Sequence, residues 1–408
     1  MSDVLDVLVV GGGPVGACLA ALLARQAGQG ATAPFDVAVL EPHRPVTPEA
    51  NEPIDPRVVA ISRASERILR STGAWAGMTR RLSPYERMRI WHESVSANDT
   101  GALVFDAADV GEPNLGYIIE NRLLQAALLD TFAARGGRIE AAQLVSLQIG
   151  AEVVTVVTSN GTLKARLVVG ADGAQSAVRQ AVGLTTDLSD YRQTAIVATV
   201  ATERSHENTA WQRFMHDGTL AFLPLSDGTS SIVWSADNDV AKSLLSSTEF
   251  AAELDRASDL ALGPTRLVSE RSSFPLRRLS AHHYAAQRIA LIGDAAHVVH
   301  PLAGQGVNLG LLDAAALAQL LAEARGEKED PGASRVLRQY ERWRKSEVAL
   351  MSTAIDAFDR FLAHGRGPLS RLARRGLGWV NASQELKRLF IARALGTAGE
   401  LPRVAQRA

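Results

Sequence analysis

A β-branched run, Val7–Val10, ends directly in Gly11-Gly12-Gly13, and a helical pattern follows from Pro14 to Gln26. This junction restricts the fold more than any other feature of the chain. Gly11, Gly13 and Gly16 fit the pattern G-x-G-x-x-G. In that pattern the first glycine permits a tight turn, the second lets backbone approach a pyrophosphate, and the third allows helix and strand to pack closely. The helix N-terminus offers the pyrophosphate free N–H groups and a partial positive charge. A Gly/Ala/Pro-rich loop, Gln26–Pro34, leads to a second buried strand, Phe35–Glu41, whose last residue lies 25 positions after Gly16. There the Glu41 carboxylate can accept from both ribose hydroxyls of an adenosine. The unit predicts a dinucleotide site and leaves NAD and FAD open.

Composition narrows the classes. The 408 residues carry 43 basic and 44 acidic side chains, a net charge of −1, which argues against nucleic acid as a main partner. The single cysteine, Cys18, excludes a disulfide framework or a multi-cysteine metal site within one chain, and reads as a packed core thiol. Asp3 and Asp6 stand where a signal peptide would carry basic residues, and no apolar stretch is expected to reach the roughly 18 residues of a membrane span. The expectation is a cytoplasmic protein, or one peripheral on a membrane surface.

Further along, Leu123–Arg135 reads as a helix, and Leu144–Ile149, Val153–Thr158 and Ala165–Gly170 read as strands. From Tyr191 to Leu276 short strand-like runs alternate with turns such as Asp227-Gly228, which predicts an antiparallel sheet. Arg288–His297 returns to a buried strand, and Val307–Ala324 to a long helix. The fold class is therefore α/β: a discontinuous Rossmann-like cofactor domain (1–73, 112–180, 284–350), an inserted, mostly antiparallel β substrate domain (74–111, 181–283) and a C-terminal helical tail (351–408).

The second acid-bearing strand end, Gly293-Asp294, favours FAD over NAD, because an isoalloxazine and its ribityl chain need anchors beyond the adenosine half. Asp294 either accepts from ribityl hydroxyls or caps the following helix. At this point the residues resemble a family. GDAAHVVHPLAGQGVNLGLLDA (Gly293–Ala314), VVGADGAQSAVR (Val168–Arg179), DPRVVAIS (Asp55–Ser62) and ENRLLQAALL (Glu120–Leu129) look like the motifs, in order, of FAD-dependent aromatic hydroxylases of the para-hydroxybenzoate hydroxylase type. The His-Pro-x-Ala-Gly-Gln-Gly-x-Asn-x-Gly form is similar to the ubiquinone-biosynthesis hydroxylases. Ser83–His92, Phe105–Arg122 and Thr209–Phe214 look like the 2-polyprenylphenol branch.

The resemblance implies a monooxygenase that hydroxylates a polyprenylphenol through a flavin hydroperoxide, with O₂ and NAD(P)H or another reductant. It leaves open a sister ring position, another phenol, or a non-catalytic flavin-bound scaffold. It implies that Gly304, Gln305, Gly306 and Asn308 face the flavin, the backbone amides at the start of the helix supporting negative charge there. It places Arg57 and Arg122 at the FAD phosphates or beside the ring, with a surface ion pair as the competing reading. Asp172 and Gly173 belong to the motif serving FAD and NAD(P)H, Asp172 orienting Arg57 or bounding the nicotinamide route. His300, with Arg57, is the catalytic candidate, as a proton shuttle. His297 and His300 are spaced i, i+3 but lack further ligands, so no metal is expected. Tyr191 and Gln193 lie near the substrate pocket or simply pair in a strand. Gly365-Arg366-Gly367 does not complete a second nucleotide motif. Residues 366–408 carry nine Lys/Arg against Glu385 and Glu400 with Trp379 and Phe390 among the apolar positions, which suits either a lipid interface, a quinone-biosynthesis complex, or packing on the cofactor domain.

Overall fold

The computed structural model describes residues 4–24, 35–49, 51–299, 305–362, 395–396 and 399–407. Its first sheet runs Ala285–Ala286, Ile289–Leu291, Gly161–Gly170, Val4–Val10, Val37–Leu40, Arg138–Glu140 from edge to edge. Val4–Val10 pairs in parallel with Val37–Leu40 on one side and Gly161–Gly170 on the other, and the latter pairs in parallel with Ile289–Leu291. Three distant parts of the chain therefore build one cofactor domain. Val7, Leu8 and Val9 are wholly buried, as expected of a central parallel strand covered on both faces. The Pro14–Leu23 helix packs against both Asn121–Ala134 and Gln305–Gly326.

The second sheet has nine strands, along a path His297–Val298, Ser272–Ala281, Thr186–Thr202, Ser230–Asp237, Gly218–Pro224, Thr209–Met215, Arg87–His92 and Leu103–Asp106, with Thr265–Leu267 pairing on Thr186–Thr202. All these neighbours are antiparallel except Thr209–Met215 with Arg87–His92. Residues from 74–111 and from 181–283 thus share one sheet. Alternation turns Met88, Gln212, Ala221, Val233 and Ser235 to one face, towards the cofactor domain. The other face carries Leu220, Phe222 and Trp234, packed under Asn238–Ser246 and Phe250–Ser258. These two helices were not legible in the strand-rich texture. A small third sheet joins Val58–Ser62 and Gly116–Glu120, from the cofactor-domain segments, to Ser83–Tyr85 from a substrate-domain segment.

Two expectations change. The Arg288–His297 strand is cut to Ile289–Leu291, because Gly293 at φ 58° turns the chain into a short helical turn, Gly293–Ala295. Against the expectation of no span-length apolar stretch, Gly306–Gly326 has the length and mean hydropathy, 1.3, of a membrane span; here it is a core helix with 72% of that window buried. The last described α-helix, Ser334–Leu362, crosses the expected boundary at residue 350. Most of the basic tail, with Gly365-Arg366-Gly367, lies outside the described residues. Its described end packs on the cofactor domain: Trp343 Nε1 donates to Glu400 O, and Arg67 Nη1 to Ala405 O.

Candidate functional site: a dinucleotide cradle facing an apolar cavity

The three motif glycines divide by role. Gly11 has φ 101°, and a Cβ there would lie 2.4 Å from Ala171 O. A Cβ on Gly16 would lie 2.0 Å from Gly11 O. Both positions are closed by backbone. Gly13, by contrast, has nothing within 4 Å of a built Cβ, which leaves the open side a diphosphate needs. Gly13 caps the Pro14–Leu23 helix with no side-chain bond, so its first amides are not served by a cap. Glu41 Oε2 accepts from Gly12 N at 3.0 Å and Oε1 from His43 N at 2.9 Å. The carboxylate is thereby fixed beside the glycine turn with lone pairs left for ribose hydroxyls.

At the Gly293–Ala295 turn Asp294 does not take the capping role. No side chain caps the turn, and no protein group hydrogen-bonds to Asp294 among the described residues. Its carboxylate opens onto a cavity while protein crowds it elsewhere. That crowding raises its pKa above the ordinary carboxylate range, His297 opposing and Asp313 adding to the rise. An unpaired acid at the cavity wall is suited to accept from a polyol.

Behind the turn stands a group that the sequence reading missed. Asp313, wholly buried on the Gln305–Gly326 helix, accepts from Gly293 N at 3.0 Å and from Arg344 Nε at 2.7 Å, and lies 2.6 Å from His297 Nε2. Burial works to raise its pKa, but His297 and Arg344 outweigh burial and hold it below the usual range. The one available signal was an acid inside an Ala/Leu-rich helix. His297 is thus engaged with Asp313, and among the described residues no cluster could hold a metal ion. His300 and Gly304 lie outside the described residues, as does the side chain of Gln305.

Other candidates are redistributed. Asp172 Oδ2 accepts from Val178 N at 3.1 Å, and Oδ1 is buried without a partner, so the residue does not orient Arg57. Gly173 takes φ 78° beside it. Arg57 reaches the cavity with no ion-pair partner among the described residues. Arg122 instead pairs with Glu52, Nη1–Oε1 2.5 Å, and donates to Val46 O, which is the surface ion pair weighed for it. Asn308 corrects its expectation: Oδ1 accepts from Ser62 N at 2.9 Å and Nδ2 donates to Ala60 O at 2.8 Å. Its amide ties the helix to the Val58–Ser62 strand instead of facing outward. Gly306, in the first turn of that helix, lines the cavity. Arg179, not singled out before, clamps the site by donating to Ala295 O and Ala174 O at 2.8 and 2.7 Å. Cys18 is buried, which pushes its thiol far up. Tyr191 and Gln193 are strand residues of Thr186–Thr202, Gln193 paired with Asp237.

The cavity has a volume of about 920 Å³ and lies between the two domains. Gly13, Arg57, Gly173, Asp294 and Gly306 form its cofactor-domain wall. Met88, Phe105, Leu115, Leu223 and Val233 give the opposite wall an apolar surface. Open Gly13, unpaired Asp294 and the orphaned Asp172 Oδ1 fit an FAD: the first helix would receive its diphosphate and Asp294 would accept from its ribityl hydroxyls.

Comparison with known proteins agrees with this geometry. The family model described as FAD binding domain matches residues 4–353. The chain is 38% identical over 403 residues to the ubiquinone hydroxylase UbiL of Rhodospirillum rubrum, covering 97% of this chain and 90% of that protein. It is 34% identical to the 3-demethoxyubiquinol 3-hydroxylase of Escherichia coli, covering 96% and 98%. Among solved structures, p-nitrophenol 4-monooxygenase PnpA of Pseudomonas putida superposes with a TM-score of 0.78 at 21% identity, covering 98% and 99%. The chain therefore belongs to the FAD-binding family of ubiquinone-biosynthesis hydroxylases, FAD-dependent monooxygenases that act on aromatic rings.

Proposed function

We propose that this protein hydroxylates the aromatic ring of a polyprenylated phenol in ubiquinone biosynthesis, with O₂ and with NAD(P)H as reductant. The cavity carries the reading: a space of about 920 Å³ whose far wall is a sheet of apolar side chains suits an isoprenoid-bearing ring. Relatives named as a ubiquinone hydroxylase and a 3-demethoxyubiquinol 3-hydroxylase support the pathway. FAD, when bound, would activate O₂ with two electrons from NAD(P)H, so that one oxygen atom goes to the ring and the other leaves as water.

The chain's own residues bind, orient and exclude water. Glu41 would hold the adenosine ribose, the amides after Gly13 the diphosphate, and Asp294 the ribityl hydroxyls. Arg57 stands free at the wall to meet an anionic group, and the apolar sheet keeps bulk water from the reacting ring. A location in the cytoplasm, peripheral on the membrane that holds the substrate, belongs to the same proposal and is tested by cell fractionation.

The direct test is mass spectrometry of quinone intermediates in a strain lacking the protein. Accumulation of unhydroxylated polyprenylphenol with loss of ubiquinone is expected. A later intermediate moves the ring position, as the name of the Escherichia coli relative allows. A normal quinone profile in a strain without sister hydroxylases sinks the reading.

A further inference from the structure

Three polar side chains interrupt the apolar face that the nine-stranded sheet turns to the cavity. Thr219 and Ser235 stand directly opposite each other on neighbouring antiparallel strands. Gln212 lies diagonal to Thr219, on the strand where Phe214 pairs with Thr219 and Gln212 with Ala221. Gln212, Thr219 and Ser235 are 4%, 6% and 5% exposed, and all three line the cavity. No hydrogen bond joins any of these side chains to another described group, and their polar atoms are not among those sealed away without a partner, so they stay open to the cavity they line.

Polar side chains this little exposed are normally paired within the protein, and these three instead offer their donors and acceptors to the cavity. The same face shows what the fold would otherwise choose, namely Ala221, Leu223 and Val233. A local departure of this kind marks a site held for something else. We propose that Gln212, Thr219 and Ser235 recognise the uncharged oxygen substituents of the substrate ring, an inference that rests on the phenol-hydroxylase reading above.

The chemistry of the group is specified by what surrounds it. Serine and threonine hydroxyls donate or accept, and the glutamine amide does both at once. Together they match a ring hydroxyl next to an ether or carbonyl oxygen. The lining residues from the strands Arg87–His92, Thr209–Met215, Gly218–Pro224 and Ser230–Asp237 carry no charge. The charged residues of the cavity, Arg57, Arg179, Arg277 and Asp294, lie on the cofactor-domain wall or, for Arg277, on a strand where its guanidinium faces Asp190 at 3.8 Å. A ring carboxylate placed on this floor would meet no cation. The site therefore selects phenols and their ethers or quinones over aromatic acids. A site built to hydrogen-bond a substrate hydroxyl rejects the analogue lacking it far more strongly than an apolar pocket can.

The test uses the FAD-loaded protein and three probes: 2-prenylphenol, prenylbenzene and 3-prenyl-4-hydroxybenzoate. Binding is read from the perturbation of bound-flavin absorbance. Wild type is expected to prefer the phenol to both others by about tenfold or more. Thr219→Val, Ser235→Ala and Gln212→Leu should each weaken the phenol by ~10-fold and leave prenylbenzene unchanged, while Thr219→Ser keeps the preference. Unchanged FAD content in each variant verifies that the cofactor half is intact. A phenol preference that survives all three substitutions, an equal loss for phenol and prenylbenzene, or tightest binding of the carboxylated probe overturns the inference alone. Failure of wild type to bind any probe overturns the phenol-hydroxylase reading together with it.

Discussion

Asp294 and Asp313 face opposite sides of one turn, and their environments could hardly differ more. Asp313 is wholly buried, accepts from Gly293 N and Arg344 Nε, and sits against His297. Asp294 has no partner among the described residues and looks into the cavity. One acid is spent on holding the turn in place; the other is held in reserve by it. Gly16 and Gly13 repeat the division in the first motif, one pressed against Gly11 O and the other open. The difference separates what the fold requires from what a ligand requires.

Removing a partner from the buried group should have the largest effect. Asp313→Ala or Arg344→Met leaves an uncompensated buried charge and should cost about 3–5 kcal/mol in chemical denaturation. A loss below about 1 kcal/mol would mean that water or a rearrangement replaces the network. Gly16→Ala comes next, because backbone cannot retreat from a Cβ at 2.0 Å. It should destabilise by about 1–3 kcal/mol, whereas Gly13→Ala should leave the apoprotein within ~0.5 kcal/mol and weaken only FAD. Equal stability of the two glycine variants would erase the distinction drawn between them.

Asp294→Asn should bind FAD ~10- to 100-fold more weakly, measured by flavin fluorescence titration of the apoprotein. The same apoprotein should be slightly more stable than wild type near neutral pH. Here the sign follows from linkage. The folded pKa of Asp294 is raised, so ionising it works against the fold as pH rises, and the advantage of the variant should shrink as pH falls through that raised value. Asp313 behaves oppositely: its lowered pKa gives stability above the unfolded carboxyl value, lost as pH falls through the folded one. Urea midpoints from neutral to acid pH check both; parallel curves for wild type and Asp294→Asn would remove Asp294 from the pH response. Glu41→Gln should have the smallest effect, a several-fold loss of FAD affinity with little change in stability, since an amide oxygen still accepts from Gly12 N.

What the sequence made legible is what local geometry enforces. Gly11 needs a left-handed turn and Gly16 a close approach, and both demands are written in the residues themselves. The alternation of short strands between Tyr191 and Leu276 is of the same kind. Asn308 misled for the opposite reason: its partners, Ser62 and Ala60, are 246 and 248 positions away, and nothing near it signals them. Arg344, 31 positions beyond Asp313, and Glu52, 70 before Arg122, were hidden in the same way. The floor residues Gln212, Thr219 and Ser235 are ordinary strand residues in sequence, and only the sheet register brings them onto one face.

The first sheet has a consequence for how the chain is made. Val4–Val10 leaves the ribosome early, yet Gly161–Gly170 comes much later and Ile289–Leu291 later still. At roughly 5–20 residues per second, the interval from residue 10 to the end of its partner strand at residue 170 is about 8–32 s. During that time Val4–Val10 waits with one bare edge, and Gly161–Gly170 in turn waits for Ile289–Leu291 while the substrate sheet between Thr186 and Ala281 is made. Biogenesis of this enzyme should therefore depend on chaperones that shield nascent N-terminal strands, more than its final stability would suggest.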